Sequence, residues 1–244
     1  MIGPSWRAVH RRGIGPGRSA HPGDDGGMAA IDLRPLPVTR DPARRLSQLV
    51  AGLALYGTSM AMQIRATLGL NPWDVLHEGL TEQTPLGFGL VTAVTGVVVL
   101  LLWIPLRQRP GIGTVANVLV IAVTVDLALA LIPEPDGLPS RIALMTAGIV
   151  LNGVASAAYV GARLGPGPRD GLMTGLARRT GRSLRLVRTG IEITVLAAGW
   201  LLGGTVGVGT VLYALAIGPL TQAFLPYLVV RAPAPAPGPS ASTA

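Results

Sequence analysis

The sequence predicts an all-α polytopic membrane protein with six transmembrane helices, and three observations support that fold class. The first is the composition: 49% of the 244 residues are hydrophobic, only 13% are charged, and the mean hydropathy is +0.51. The second is a series of long apolar runs, and the third is an internal repeat with a spacing of 96 residues. A soluble domain would mix polar and apolar residues more evenly along the chain.

Six apolar runs are long enough to cross about 30 Å of hydrocarbon as helices. Backbone groups find no water in the bilayer core, so a span must be a helix or part of a closed barrel. The runs are too long and too evenly apolar for the alternating strands of a barrel. The predicted spans are residues 46–66, 87–106, 113–133, 141–163, 187–204 and 209–230.

The apolar region lies between two polar tails. Residues 1–45 are rich in Gly, Pro and Arg without apolar periodicity, which predicts a disordered cytoplasmic tail. Met28 is a second candidate for the start of the protein, because nothing before it has the pattern of a folded element. Residues 231–244 are an Ala/Pro-rich tail that we expect to be disordered. Between them, 46–133 and 141–230 are the two predicted three-helix repeats.

The internal repeat is clearest just after the first span of each half. Residues 69–80 read Gly-Leu-Asn-Pro-Trp-Asp-Val-Leu-His-Glu-Gly-Leu, and residues 165–176 read Gly-Pro-Gly-Pro-Arg-Asp-Gly-Leu-Met-Thr-Gly-Leu. The register continues without a gap, since Gly-Ile-Gly-Thr-Val at 111–115 returns as Gly-Val-Gly-Thr-Val at 207–211. Roughly a third of positions 51–126 match their partners, which indicates a duplicated unit.

The arginines predict how the spans are oriented. Basic and non-basic loops alternate along the whole chain, and the segments before the first span and after the last are basic. Arginine-rich short loops stay on the cytoplasmic side, so both termini are predicted to be cytoplasmic. Each repeat contains three spans, an odd number, and the second copy must therefore enter the bilayer from the opposite side. The sequence thus predicts two inverted repeats related by an axis in the membrane plane.

The composition also excludes several classes of function. The chain has no cysteine and only three histidines, so a disulfide, a thiol nucleophile or a Cys/His metal site is not expected. We find no nucleophile–base–acid arrangement and no cofactor motif, and we therefore predict neither an enzyme nor a bound cofactor. The formal charge of +8 does not predict nucleic-acid binding, because no aromatic residues alternate with the arginines as stacking platforms.

Two motifs of the first repeat resemble a known family. They are Gly-Leu-Asn-Pro-Trp-Asp-Val-Leu at 69–76 and Arg-Gln-Arg-Pro-Gly-Ile-Gly-Thr at 107–114. Both are similar to the YczE/YyaS/YitT-type bacterial membrane proteins, and the similarity covers most of residues 46–230. The resemblance implies a multi-pass protein of the bacterial plasma membrane. The second repeat departs from the first motif, with Gly167 in place of Asn and Arg169 in place of Trp.

The 69–80 stretch has the residues of a helix start. Asn71 suits the N-cap, proline follows in the first turn, and Asp74 places negative charge near the positive end of the helix dipole. Asp170 is the counterpart of Asp74 in the second repeat. Each of these helices is too short to span the membrane. They are either amphipathic helices in the interface, anchored in the first copy by Trp73, or re-entrant helices that point at a central site.

Polar side chains within the spans are further candidates. Asp126 lies in the third span, and hydration near the outer interface is the alternative to a functional role. Glu192 can pair with Arg188 one turn earlier, so it is either a structural partner or a proton-coupling group. Arg65 could balance Asp74 or Asp126, or simply reach the interface from the end of its helix. The predicted substrate- or ion-binding residues are Arg65, Asn71, Asp74, Asn117, Asp126, Asp170 and Glu192.

Two hypotheses for the function remain open. The first is a small secondary transporter or permease with its site at the interface of the two repeats. Because six helices form a small unit, a homodimer would help to build a full pathway. The second is a non-transporting scaffold or regulator that uses the arginine-rich loop 163–188. In that case Arg178, Arg179 and Arg182 would dock a partner or anionic lipid. The sequence identifies no substrate.

Overall fold

The described part of the chain is helical and contains no strand. The structure, a computed structural model, describes residues 33, 35–37 and 39–231. Most of the predicted tail 1–45, and all of the tail after residue 231, lie outside these residues. In chain order the helices are α1 (Pro42–Ala66), α2 (Pro72–Glu82), α3 (Phe88–Leu106), α4 (Ile112–Leu131), α5 (Leu138–Gly161), α6 (Pro168–Thr180), α7 (Leu184–Leu201) and α8 (Val208–Leu228).

Six long helices correspond to the six predicted apolar runs, and the short helices α2 and α6 each follow the first long helix of a repeat. Among the described residues four helices are long and apolar enough to cross a membrane, namely α3, α4, α5 and α8. The other two long helices carry more polar side chains. Helix α1 packs between α4 and α5, and α7 bears Arg188 and Glu192. A helix that faces other protein or a cavity need not be apolar all round.

Large apolar side chains cover the outer surface. Ile104, Leu131 and Leu215 are each at least 70% exposed, and they belong to three of the four apolar helices. Soluble proteins rarely expose apolar patches on this scale, whereas lipid covers them in a membrane protein. The fold is therefore that of an all-helical membrane protein.

Helices α1 and α5 form the centre of the bundle and approach each other through small residues. An added Cβ on Gly52 would lie 2.9 Å from the backbone nitrogen of Tyr159. On its repeat counterpart Gly148, a Cβ would lie 3.1 Å from Cγ of Gln63. Glycine at such positions lets helices pack closely within a membrane. Helix α4 packs against α1 and α8 packs against α5, so the two repeats make equivalent contacts around this centre.

Arg45 connects the beginning of α1 with the end of α5. Its side chain is fully buried, although the sequence suggested only a topology-determining charge at this end of the first span. All five of its N–H groups are used, because a guanidinium group carries five donors. The acceptors are the carbonyl oxygens of Leu36 (3.2 Å), Pro37 (2.6 Å), Arg40 (3.1 Å), Ala162 (2.9 Å) and Arg163 (3.0 Å).

We predict that Arg45→Ala destabilises the fold strongly, whereas Arg44→Ala does not. The neighbouring Arg44 is exposed, so it provides a matched control of the same residue type. The free energy of unfolding should fall by about 3 kcal/mol for Arg45→Ala, because buried carbonyl groups lose a charged donor. Thermal or denaturant unfolding of the purified protein in detergent measures this difference. Equal losses in the two variants would contradict the structural role of Arg45.

Candidate functional site

Two equivalent backbone hydrogen bonds fix the loops that precede the short helices. The N–H of Gly113, at the start of α4, donates to the carbonyl of Leu164, just before α6 (3.0 Å). The N–H of Gly209, at the start of α8, donates to the carbonyl of Leu68, just before α2 (2.7 Å). The two donors are 96 positions apart in the sequence, and so are the two acceptors. Each repeat therefore holds the loop of the other repeat in the same way.

The loops themselves depend on glycine. Gly69 has φ +106° and Gly165 has φ +128°, a backbone region that other residues rarely adopt. A Cβ on Gly69 would also lie only 2.4 Å from the nitrogen of Gly207. Gly69 and Gly165 thus permit a tight turn in each loop, and Gly69 also permits a close approach to the opposite repeat.

Helix α2 begins with the cap that the sequence predicts. The side-chain oxygen of Asn71 accepts hydrogen bonds from the N–H groups of Trp73 and Asp74, both at 3.1 Å. The Asn71 amide donates to Asp74 Oδ2 at 2.5 Å. Asp74 and His77, which lie on the polar face of this helix, are buried. An interfacial helix would expose that face to water or headgroups, so the burial favours the re-entrant interpretation.

Helix α6 begins in the equivalent position but with different contacts. Its N-cap is Gly167, which has no side chain to accept a hydrogen bond. The indole N–H of Trp103, in α3, donates to the carbonyl of Pro168 at 3.0 Å. The Tyr159 hydroxyl, near the end of α5, donates to Asp170 Oδ2 at 2.9 Å. Side chains from the neighbouring long helices thus fix this short helix.

The starts of α2 and α6 line one cavity of about 130 Å³. Walls from α1, α3, α4, α5, α7 and α8 complete it, so both repeats contribute. Its polar and aromatic lining consists of Tyr56, Asn71, Trp73, His77, Thr92, Thr95, Asn117, Tyr159, Arg169, Asp170, Arg188, Glu192 and Tyr213. In the described part of the chain no three His, Asp or Glu side chains lie close enough together to hold a metal ion.

Arg169 and Trp73, which occupy equivalent positions in the two repeats, contact each other in this cavity. The Arg169 guanidinium lies 4.9 Å from the centre of the Trp73 ring, in a cation–π arrangement. Its Nη2 is 3.5 Å from Oδ1 of Asp74, and that oxygen has no hydrogen-bond partner in the described residues. His77 Nδ1 is also 3.5 Å from the same oxygen. A buried carboxylate and an arginine from opposite repeats therefore form one charged pair.

A second polar network links the cavity to the centre of the bundle. The Tyr213 hydroxyl donates to Asn152 Oδ1 at 3.0 Å, and the Asn152 amide donates to Ser59 Oγ at 2.7 Å. Tyr56 packs edge to face on Tyr159, with ring centroids 6.1 Å apart. Sequence reasoning missed these three tyrosines. Their position inside apolar runs was the available signal, because a buried phenol needs a hydrogen-bond partner.

Comparison with known proteins gives the family. A family model described as "Family of unknown function (DUF6198)" matches residues 43–226. The chain belongs to this family. It is 34% identical over 179 residues to the "Uncharacterized membrane protein YczE" of Bacillus subtilis (strain 168), which covers 72% of this chain and 83% of that protein. The expected relationship to YczE- and YyaS-type proteins is thereby confirmed.

Two further relatives extend the comparison. An "Uncharacterized protein" of Haemophilus influenzae (strain ATCC 51907 / DSM 11121 / KW20 / Rd) is 38% identical over 190 residues, covering 78% of this chain and 87% of the relative. The "Uncharacterized protein YyaS" of Bacillus subtilis (strain 168) is 24% identical over 179 residues, covering 72% of this chain and 89% of the relative. No solved structure matches the fold.

The structure brings together most of the candidate residues near the cavity. Asn71, Asn117, Asp170 and Glu192 line it, and the buried Asp74 contacts the lining residue Arg169 at 3.5 Å. The predicted pair one turn apart in α7 also forms, with Arg188 Nε 2.9 Å from Glu192 Oε1. These side chains come from α2, α4, α6 and α7.

Asp126 and Arg65 lie elsewhere and are not part of the cavity lining. The Asp126 carboxylate accepts a hydrogen bond from the N–H of Gly89 at 2.7 Å, so it caps the beginning of α3. Arg65 pairs with Glu134 at 3.0 Å and donates to the carbonyl of Leu129 at 2.6 Å, instead of balancing Asp74 or Asp126. Both side chains thus hold the ends of the helices together.

The three arginines of the proposed docking surface have different surroundings. Arg178 donates to Gln108 Oε1 at 2.5 Å, and Arg179 donates to the carbonyl of Pro105 at 2.6 Å. Both hydrogen bonds attach the end of α6 to the end of α3. Arg182 lines an apolar groove between α3 and α7, and Trp73 lines both this groove and the cavity. Two of the three side chains therefore have partners within the protein.

The contact of α6 with α3 is equivalent to the contact of α2 with α7, but the large and small residues are on different helices in the two contacts. In α6, Gly171 leaves room for the ring of Trp103, whereas in α7 the counterpart of Trp103 is Gly199. An added Cβ on Gly199 would lie 2.4 Å from the backbone nitrogen of Leu76 in α2. The backbone of α2 therefore lies directly on α7.

We predict that Gly199→Ala destabilises the protein and that Gly190→Ala does not. Both glycines are in α7, but a Cβ on Gly190 meets no atom within 4 Å. Gly199→Ala should lower the free energy of unfolding by about 1–3 kcal/mol, because a methyl group must displace the α2 backbone. The change for Gly190→Ala should stay within about 0.5 kcal/mol. Unfolding in detergent tests this, and similar values for the two variants would contradict the close contact.

Proposed function

We propose that this chain is a small secondary transporter or permease, and that the cavity between α2 and α6 is its substrate site. The observation that carries the proposal is the contact between Arg169 and Trp73, 4.9 Å from guanidinium to ring centre. Residues related by a two-fold axis can contact each other only near that axis. This supports a site at the interface of the two repeats, where transporters built from inverted repeats bind their substrates.

We infer that the two halves are inverted three-helix repeats with six spans in all. Reciprocal contacts support this: α1 packs on α4 as α5 packs on α8, and α2 packs on α7 as α6 packs on α3. With three long helices in each half, the loop charges support a topology with both termini in the cytoplasm. The plasma membrane is the location that the family resemblance implies. We keep the expectation that anionic lipid lies near the basic loops and that two copies associate.

Within this proposal the short helices form the gate. Asp74 and Asp170 sit in the first turns of α2 and α6, and the pair between Asp74 and Arg169 joins the two repeats at 3.5 Å. Breaking that pair would free the two short helices to move apart. Glu192 lies on the cavity wall and is the remaining candidate for ion coupling. Asp126 has no such role in the proposal, because its carboxylate caps α3. The proposal contains no catalytic step.

The absence of native cysteine makes the proposal testable without a known substrate. We predict that Asn117→Cys, on the cavity wall, reacts with an impermeant thiol reagent both in intact cells and in inside-out vesicles. Asp136→Cys, in the loop before α5, should react only in cells, and Arg109→Cys, in the loop before α4, only in inside-out vesicles. Leu215→Cys, on the outer apolar surface, is a control for reagent that enters through lipid.

Each labelling pattern has a distinct meaning. Reaction of Asn117→Cys from both sides supports an aqueous path that opens alternately or continuously through the cavity. Reaction from one side alone would refute the transporter and favour the scaffold, for which charge reversal at Arg182 should then abolish function. Failure of Asp136→Cys and Arg109→Cys to label from opposite sides would show that the inverted topology is wrong.

A further inference from the structure

The cavity is unusually rich in aromatic side chains for this chain. The whole sequence contains four Trp, four Tyr and two Phe residues. Four of these ten line the cavity, namely Trp73, Tyr56, Tyr159 and Tyr213. Aromatic rings present a negative face, and several rings around a pocket attract ammonium and guanidinium groups. The concentration of scarce aromatic residues here points to a cationic ligand.

The hydrogen bonds of the tyrosines support the same conclusion. The hydroxyl of Tyr159 donates to Asp170, and the hydroxyl of Tyr213 donates to Asn152. A phenol has one proton and two lone pairs, so these oxygens can only accept further hydrogen bonds. The cavity therefore combines aromatic rings with the acceptor oxygens of Tyr159 and Tyr213, beside the amide groups of Asn71 and Asn117. The rings and the phenol oxygens suit a cation better than an anion.

The charges around the cavity leave one carboxylate in excess. Asp170 and Glu192 line it and Asp74 contacts the lining residue Arg169, whereas the arginines are Arg169 and Arg188. Arg188 pairs with Glu192 in the same helix, with 2.9 Å between Arg188 Nε and Glu192 Oε1. Arg169 is then the arginine that pairs with Asp74, with its Nη2 3.5 Å from Asp74 Oδ1. Charged groups buried within a membrane protein are costly and usually functional.

Arg169 itself is held loosely. It makes no hydrogen bond among the described residues, and its closest ionic contact, to Asp74 Oδ1, is 3.5 Å long. Arg45 differs in having all five donors bonded at 2.6–3.2 Å. A side chain that stacks on Trp73 without hydrogen bonds can be displaced at low cost. Arg169 therefore occupies a position where another cation could bind.

We propose that the cavity binds a small organic cation, bearing an ammonium or guanidinium group, on the face of Trp73. Arg169 competes with the ligand for this position and for Asp74. This inference rests on the proposed function in taking the cavity as the substrate site. Displacement of Arg169 would break the contact between the two repeats, which links binding of the cation to movement of α2 and α6.

The purified full chain in detergent is the material for the test, and tetramethylammonium chloride is the probe. Thermal unfolding and calorimetric titration compare it with sodium chloride and sodium acetate at equal ionic strength. We expect tetramethylammonium to stabilise and bind the unaltered protein, and Trp73→Leu to weaken that binding about tenfold or more. Trp73→Phe keeps a ring and should retain most of the affinity. Trp200→Leu is the matched control, because Trp200 is 64% exposed and outside the cavity.

Arg169→Gln gives the decisive comparison, since it removes the competing cation but keeps a polar side chain. We expect this variant to bind tetramethylammonium at least about tenfold more tightly, because the excess negative charge rises by one. Unchanged or weaker binding in Arg169→Gln would refute the competition. Stabilisation by acetate that disappears in Arg169→Gln would overturn the proposal in favour of an anion site.

The two proposals can fail separately. If Asn117→Cys labels from both sides but no organic cation binds, the transporter proposal stands and the cation site is refuted. If tetramethylammonium binds with the expected dependence on Trp73 and Arg169 but labelling is one-sided, the cation site stands and the transporter is refuted. Retention of a single elution peak in gel filtration shows that each variant is folded.

Discussion

The placement of the short helices α2 and α6 depends on two backbone hydrogen bonds, which join Gly113 to Leu164 and Gly209 to Leu68. The first N–H groups of a helix have no partner within it, and a carbonyl in a loop inside a membrane has no water. Each hydrogen bond satisfies one N–H group at the start of a helix and one carbonyl group of a loop. Each bond connects a loop of one repeat to a long helix of the other, and the starts of α2 and α6 line the same cavity.

A scaffold of this symmetry need not carry a symmetric site. Position 73 is Trp and its counterpart 169 is Arg, so one repeat supplies an aromatic face and the other supplies the cation that stacks on it. The same divergence appears where a short helix meets a long one, with Trp103 against Gly171 on one side and Gly199 against the α2 backbone on the other. The backbone contacts of the two halves are thus equivalent, whereas the side chains at positions 73 and 169 differ.

The sequence predicted the helices well because their signals are local. Apolar runs marked the long helices, and the Asn71 cap marked the start of α2. The residues of the cavity were harder to predict from the sequence, because their roles depend on which side of a helix faces which neighbour. The three cavity tyrosines interrupt apolar runs, but the runs do not show which residues their hydroxyl groups contact. Asp126 looked functional because it interrupts such a run, yet its carboxylate caps a helix that begins 38 positions earlier, at Phe88.

How apolar a long helix is depends more on how much of its surface contacts lipid than on whether it crosses the membrane. Helices α3, α4 and α8 are the most apolar outer helices and expose large side chains, whereas α1 lies in the bundle and carries buried Arg45, Gln63 and Ser59. Helix α7 bears Arg188 and Glu192 on the cavity side. Insertion of a charged residue into lipid costs a few kcal/mol, a penalty that falls when the side chain faces protein or water. The two long helices that are less apolar, α1 and α7, therefore place polar side chains within the bundle and at the cavity.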